Sequence, residues 1–466
     1  MRISWLKRIR QFTIPTDLHF IISIGKIRLY LYQAECHIKI QKFAHSCIRA
    51  FVHSCINIKV MSYTSDYQEL KRRINFRDDV IPLGTEDLHN FTFISKSHGL
   101  LPGHEHYRCA EHGLDFNHPD GFLTETWQEE ELLHIADPEV KENNAFRYHI
   151  MRPAGGKKIS EMVMLFHGFN EKTWDKYLPW AQKIVRETGK AVVLFPIAFH
   201  MNRAPVLWND KRTMYAYSER RKEIFPDIIK SSLSNVAISV RLHAMPQRFI
   251  WSGLQTYNDV ISFVEMCRNG LHPAIEKEFT VDFFTYSIGS LLAEILKLTN
   301  YKGYFTDTRL CMFCGGAVFN RLSPVSKFIL DSEANVALYS YLVEHIESHR
   351  KKDPRLNHFM SPAHPEGYNF YCMLDYKAEM DYRENRFREI SSQVLAVTLK
   401  QDKVVPAYEV INTLQGAGRD LPIPVEIFDL PYSYQHEDPF PASGGNTALV
   451  DEAFDQIFEP IVRFLR

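Results

Sequence analysis

Short apolar runs recur along the chain, each ending in a turn and most followed by a stripe of apolar residues at helical spacing. "EMVMLFHGF" (161–169) is one such run, as expected of a strand buried on both faces. Trp174, Tyr177, Leu178, Ala181, Ile184 and Val185 then share one helix face, and Gly189 is placed to end that helix. "AVVLFPI" (191–197) is the next buried strand. Strand, helix and strand in this order make a βαβ unit, and so predict a parallel sheet.

The rhythm continues to the C-terminus. "FRYHIMRP" (146–153) reads as a strand, and a helix is expected around 254–268 with Gly270 as its stop. "TVDFFTY" (280–286), "RLCMFCGGAVF" (309–319), "QVLAVTLKQD" (393–402) and "PVEIFDLPY" (424–432) read as further strands. Helices are expected in "GSLLAEILKL" (289–298), in "PAYEVINTLQGAG" (406–418) and from about Thr447 onward. The main domain is therefore placed at 146–466, with insertions at 201–250 and 321–390. The second insertion predicts at least one long helix, "SEANVALYSYLVEHIESHR" (332–350), and no clear strand. Residues 61–145 are rich in turns and acids and read as an N-terminal extension packed on that domain, with a strand in "HNFTFIS" (89–95) and a short helix from Trp127 to Ile135.

Composition changes the picture in one place. The chain has 466 residues, 45% hydrophobic and 24% charged, with a formal net charge of −1, so bulk charge argues against a nucleic-acid partner. The first 60 residues are nevertheless strongly basic, with only Asp17 and Glu35 as acids. Their best apolar run, "FIISIG", is short and followed at once by Lys26 and Arg28, which suits neither a signal peptide nor a membrane span. The expectation is a disordered or untranslated leader, with the start at Met61, against the alternative of a basic peripheral anchor.

Beyond residue 60 the cysteines are Cys109, Cys267, Cys311, Cys314 and Cys372. An odd number without regular spacing argues against a disulfide framework and for a reducing, cytoplasmic setting. Cys311-x-x-Cys314 sits inside a buried strand pattern with no second pair, and reads as core. "HEHYRCAEHGLDFNH" (104–118) holds His104, His106, Cys109, His112 and His118 without a zinc spacing, and reads as a His-rich loop. Neither a metal nor a cofactor is expected.

The chemistry is expected at "VDFFTYSIGSLLAEIL" (281–296). A serine nucleophile must project from the end of a buried strand on a sharp turn, and the strand and helix approach so closely that small residues are needed two before and two after it. Those positions are Thr285 and Gly289 around Ser287. The Gly fits, whereas Thr285 is large and β-branched. An earlier strand end, His167-Gly168, can aim the Phe169 N–H at the same point, and the Ile288 N–H opens the helix after Ser287, so two donors converge on a developing oxyanion. His167 itself is expected to be structural. Asp402 follows a later apolar run and His436 lies just past the last, giving the order Ser287, Asp402, His436.

Over residues 146–466 this arrangement resembles the α/β-hydrolase superfamily, departing from its motif at Thr285. The resemblance implies an eight-stranded, mostly parallel sheet with helices on both faces and a helical lid at 321–390. It also implies a Ser287–His436–Asp402 triad, an oxyanion hole from Phe169 and Ile288, and hydrolysis of a small-molecule ester, with an amide or thioester as the alternative, through an acyl-enzyme. His200, Asn202 and Arg203 follow the carboxyl end of a strand and are candidates for substrate binding. Thr285 and the long insertions motivate the competing expectation of a binding or scaffold protein with a degenerate site.

Overall fold

The computed structural model describes residues 62–103, 106–117 and 135–466. The leader at 1–60, Met61 and the helix expected from Trp127 lie outside the described residues.

Eleven strands are present among the described residues: β1 (Val80–Pro82), β2 (Glu86–Ile94), β3 (His106–Arg108), β4 (Asp115–Asn117), β5 (Ala145–Pro153), β6 (Ile159–Phe166), β7 (Ala191–Leu194), β8 (Ile275–Tyr286), β9 (Leu310–Phe313), β10 (Val394–Leu399) and β11 (Val425–Phe428). Nine of them form one sheet in the order β1-β2-β5-β7-β6-β8-β9-β10-β11, while β3 and β4 make a separate hairpin. Pairing is antiparallel from β1 to β7 and parallel from β7 to β11. The βαβ inference from residues 161–197 therefore holds, since β6 and β7 run parallel across the intervening helix.

Two expectations are corrected. The sheet has nine strands, not eight, because the short β1 pairs with β2. The main sheet also begins well before residue 146, because β2 pairs along its whole length with β5.

Alternation along the strands builds two cores. Met162, Met164 and Phe166 of β6 face one, and Val163 and Leu165 face the other. The first core is closed by α4 (Val236–Ala244), α5 (Arg248–Arg268), α6 (Ile288–Thr299) and α12 (Ala407–Leu414). The second is closed by α1 (Tyr63–Arg73), α2 (Tyr177–Thr188) and α13 (Thr447–Leu465). α2 buries the apolar stripe anticipated for it and ends at Gly189, at φ 76°. The parallel strands read as continuous apolar runs because both their faces are covered, and each such side chain withdrawn from water contributes roughly 1.5–3 kcal/mol. Cys311 and Cys314 are free and fully buried in the second core. Burial pushes both thiols up, so neither is poised as a nucleophile or ligand.

The two insertions are helical. Residues 201–250 carry α3 (Lys211–Ile224) and α4. Residues 321–390 carry α7 (Ser332–Tyr339), α8 (Ile346–Lys352), α9 (Pro354–Phe359), α10 (Pro365–Cys372) and α11 (Met380–Ile390). The long helix expected at 332–350 is broken: a wide turn at Ser340–Glu344 ends with the His345 N–H donating to the Ser340 carbonyl. No helix among the described residues is long and apolar enough to cross a membrane.

Candidate active site

The loops leaving the carboxyl ends of β6, β7, β8 and β9 carry side chains at positive φ: Asn170 (56°), Phe199 (62°), Met201 (49°), Ser287 (55°) and Cys314 (50°). Such conformations cost free energy for residues other than Gly, and they cluster where a fold holds functional groups. Ligands of open α/β sheets bind at this edge.

Ser287 has φ 55° and ψ −124°, between the last residue of β8 and the first of α6. Gly289 has no alternative here, because a Cβ would lie 2.6 Å from the Phe166 carbonyl oxygen and 2.8 Å from that of His167. Thr285 finds its room differently from the usual motif. It is fully buried, and its hydroxyl lies 2.8 Å from that of Ser290. Ser290 is accommodated by Gly315, where a Cβ would fall 2.0 Å from the Ser290 hydroxyl. The requirement for a small residue has thus moved from position 285 to position 315 on the neighbouring strand end.

Ser287 Oγ lies 2.8 Å from His436 Nε2, and His436 Nδ1 lies 2.7 Å from Asp402 Oδ2. All three side chains are buried. A carboxylate oxygen accepts, so Nδ1–H donates to Asp402 and the Nε2 lone pair faces the hydroxyl. Asp402 serves two ends at once. Its other oxygen, Oδ1, accepts from the Val404 and Val405 N–H groups, each at 2.9 Å, which fixes the turn into α12. The capping role and the contact with His436 are therefore compatible in one side chain.

The turn after β6 is held by His167. Its Nε2 accepts from the Ile197 N–H at 2.9 Å, which puts its proton on Nδ1, donated to the Gly168 carbonyl at 2.8 Å. Burial holds His167 well below the usual histidine range, so it stays neutral in this role. The Gly168 N–H donates to the Tyr177 hydroxyl at 2.9 Å, and the Asn170 side chain donates to the Ser234 carbonyl at 2.9 Å. Ile288 is the first residue of α6, so its N–H has no intrahelical acceptor. Phe169 and Ile288 line a common cavity with Phe249, Leu291, Ile295 and Phe370.

His200 lines the same cavity. Its Nδ1 is 2.8 Å from the Ala198 carbonyl, its Nε2 is buried without a partner, and burial lowers it to about 4. The other two candidates for substrate binding are corrected. Asn202 is exposed and donates to the Arg147 carbonyl at 2.9 Å, away from the cavity lining. Arg203 is fully buried, with Asp259 at 2.8 Å, Asn143 Oδ1 at 3.1 Å and the Pro196 carbonyl at 3.1 Å. Its guanidinium also lies 3.9 Å from the centre of the Phe146 ring, and with no exposed surface it does not present itself to a substrate anion.

Sequence reasoning missed Tyr286 and Lys176. The Tyr286 hydroxyl donates to the His436 carbonyl, and its ring lies at 5.4 Å and 17° to the imidazole. Lys176 sits 4.6 Å from the centre of the Tyr286 ring and donates to the Glu437 carbonyl at 2.8 Å. An aromatic residue just before a candidate nucleophile is the one available signal.

A family model described as a family of unknown function, DUF6051, matches residues 61–466. The chain belongs to the DUF6051 family. Among curated proteins, none matches it. Among solved structures it is similar to carboxyl esterase 2 of the mycorrhizal fungus Tuber melanosporum, at 12% identity and TM-score 0.37, over 69% of this chain and 81% of that one. It is also similar to a thermostable esterase from Pseudomonas putida ECU1011, at 10% identity and TM-score 0.37, over 91% of this chain and 96% of that one. The esterase Est22 is similar at 11% identity and TM-score 0.39, over 92% of this chain and 89% of that one. These likenesses are distant, and the chemistry proposed for this DUF6051 member comes from its strand order and side-chain geometry.

Proposed function

We propose that the protein is a serine hydrolase of the α/β-hydrolase type that cleaves an ester of a small molecule through an acyl-enzyme. The observation that carries this is Ser287 at φ 55° with its hydroxyl 2.8 Å from His436 Nε2. Strain at a strand-to-helix turn and a base within hydrogen-bond reach are what an activated serine requires.

Ser287 Oγ attacks the acyl carbon as its proton passes to His436 Nε2. Asp402 accepts from Nδ1–H, keeps the imidazole oriented and offsets the charge it gains. The Phe169 and Ile288 N–H groups donate to the carbonyl oxygen as it becomes an oxyanion. His436 then protonates the leaving alkoxide. Water, deprotonated by the same nitrogen, attacks the acyl-enzyme, and the proton returns to Ser287 as the acid leaves.

Two recesses share Phe169 and differ in polarity, which supports giving each one half of the ester. On one side is the cavity shared with Phe249, Leu291, Ile295 and Phe370, which suits an apolar acyl chain. On the other, Lys172, Ser234, Gln435 and Glu437 line a more polar recess that suits the leaving group. p-Nitrophenyl esters of graded acyl length test the proposal. Hydrolysis that disappears by several orders of magnitude in Ser287→Ala is expected, and a well-folded protein inert to the whole series would count against it.

A further inference from the structure

Far from the triad in sequence, four side chains that could bind a soft divalent metal ion converge. Cys109 and His112 belong to the β3–β4 hairpin, His358 lies in the last turn of α9, and His364 sits at the entry to α10. One ligand atom from each lies within 4.8 Å of every other. Cys109 Sγ is 3.5 Å from His112 Nδ1 and 3.4 Å from His364 Nε2, and His364 Nε2 is 3.0 Å from His358 Nε2. Zinc binds thiolate at about 2.3 Å and imidazole at about 2.0–2.1 Å, so a tetrahedral site has S···N edges of about 3.6 Å and N···N edges of about 3.3 Å. These three distances lie close to those lengths.

The surroundings orient the same atoms. Glu366 Oε1 lies 2.9 Å from His364 Nδ1. A carboxylate accepts, so the Nδ1 proton points to Glu366 and the Nε2 lone pair points into the cluster. Zinc-bound histidines have their second nitrogen held by a carboxylate in this way. That single lone pair meets both the Cys109 sulfur and the His358 ring nitrogen. Hydrogen bonds alone either aim two donors at it or, with the one thiol proton given to His112 Nδ1, leave the Cys109–His364 contact without a proton, whereas a cation at the centre satisfies all four ligands. Cys109 and His364 are buried, and the rings of His112, His358 and His364 lie 4.6–4.9 Å apart in edge-on contact.

We propose that Cys109, His112, His358 and His364 form a structural zinc site that ties the β3–β4 hairpin to the α9–α10 turn. Four protein ligands leave no open position, which makes the site structural and not hydrolytic. A thiolate with three imidazoles selects zinc over hard cations. Binding deprotonates the Cys109 thiol and releases its proton to solvent. The site does not use the triad, and it stands or falls independently of the proposed esterase activity. Its effect reaches the cavity through α10, since His364 precedes the helix whose Phe370 lines that cavity. The expectation of a metal-free His-rich loop at 104–118 is thereby revised for Cys109 and His112, while His104 and His118 lie outside the described residues.

Elemental analysis of the full chain, purified without chelators, tests this. One zinc per chain is expected, with clear loss in Cys109→Ser and in His358→Asn. Exchange with Co2+ supplies a readout that needs no variant: tetrahedral d–d bands together with a thiolate-to-cobalt charge-transfer band. Folded wild-type chain that retains far less than one equivalent after zinc incubation and desalting would overturn the proposal. So would a cobalt spectrum without the thiolate band, or full zinc retention in folded Cys109→Ser/His364→Ala, which would place the metal elsewhere.

Discussion

Tyr286 holds His436 by two contacts at once, donating from its hydroxyl to the main-chain carbonyl and laying its ring along the imidazole. The residue before the candidate nucleophile thus fixes the candidate base, although the two are 150 residues apart in the chain. Tyr286→Phe keeps the ring and removes the hydrogen bond. kcat is expected to fall about tenfold, equivalent to ~1.4 kcal/mol, with KM unchanged. Steady-state kinetics on one ester checks it, and a change confined to KM would contradict a role in holding the base.

Thr285 departs from the usual motif but is paired with Ser290 in a space that Gly315 leaves open. Thr285→Val keeps the shape and leaves the buried Ser290 hydroxyl without its partner, so a loss of about 1–3 kcal/mol is expected in urea denaturation. Ser287 stays where it is, so residual activity per folded molecule should be close to that of the parent. Unchanged stability would mean the hydroxyl pair contributes nothing.

Buried histidines predict the acid limb of stability. His272 accepts from the Ala274 N–H through Nδ1 at 3.1 Å and meets the Tyr148 hydroxyl at 2.7 Å through Nε2, so it is held neutral, and burial lowers it to about 4. His149 is lowered to about 3, chiefly by burial. In the unfolded chain both titrate near 6.5. Between about 6.5 and 4 the unfolded state binds more protons, so stability is complete above that window and falls as pH drops through it, by about 1.4 kcal/mol per pH unit for each histidine. Thermal melts from pH 7 to pH 4 should show the decline, and His272→Gln should make it shallower. A flat profile would contradict the neutral assignment.

Phe249 is partly exposed at the cavity and stands between Phe169 and Phe370, with ring centroids at 6.3 and 5.9 Å. Phe249→Ala should widen the acyl side. The ratio of kcat/KM for long over short acyl esters is expected to rise by about tenfold. A shift in leaving-group preference at constant acyl preference would place the acyl chain on the other side of Phe169.

That Ser287, Asp402 and His436 would meet was legible because each lies just past an apolar run, and parallel strands bring their carboxyl ends to one edge. The turn at Ser287 was legible for the same reason. What escaped depends on partners distant in sequence. Arg203 looked available until Asp259 and Asn143 enclosed it, and no local pattern announces that ion pair. β2 was expected as a strand, but antiparallel pairing with β5 leaves no mark on either segment. Cys109-x-x-His112 shows no zinc spacing by itself, because its remaining partners, His358 and His364, are separated from it by most of the sheet's strands. The position of Thr285 could not be judged without Gly315, which sits beyond the next strand.

The central claim is that Ser287 is a nucleophile activated by His436. Intact mass and peptide mapping after reaction with a fluorophosphonate probe measure this directly. One adduct per chain on the peptide carrying Ser287 is expected, absent in Ser287→Ala and strongly slowed in His436→Ala. A folded wild-type chain that forms no adduct, or forms it on another serine, would contradict the account.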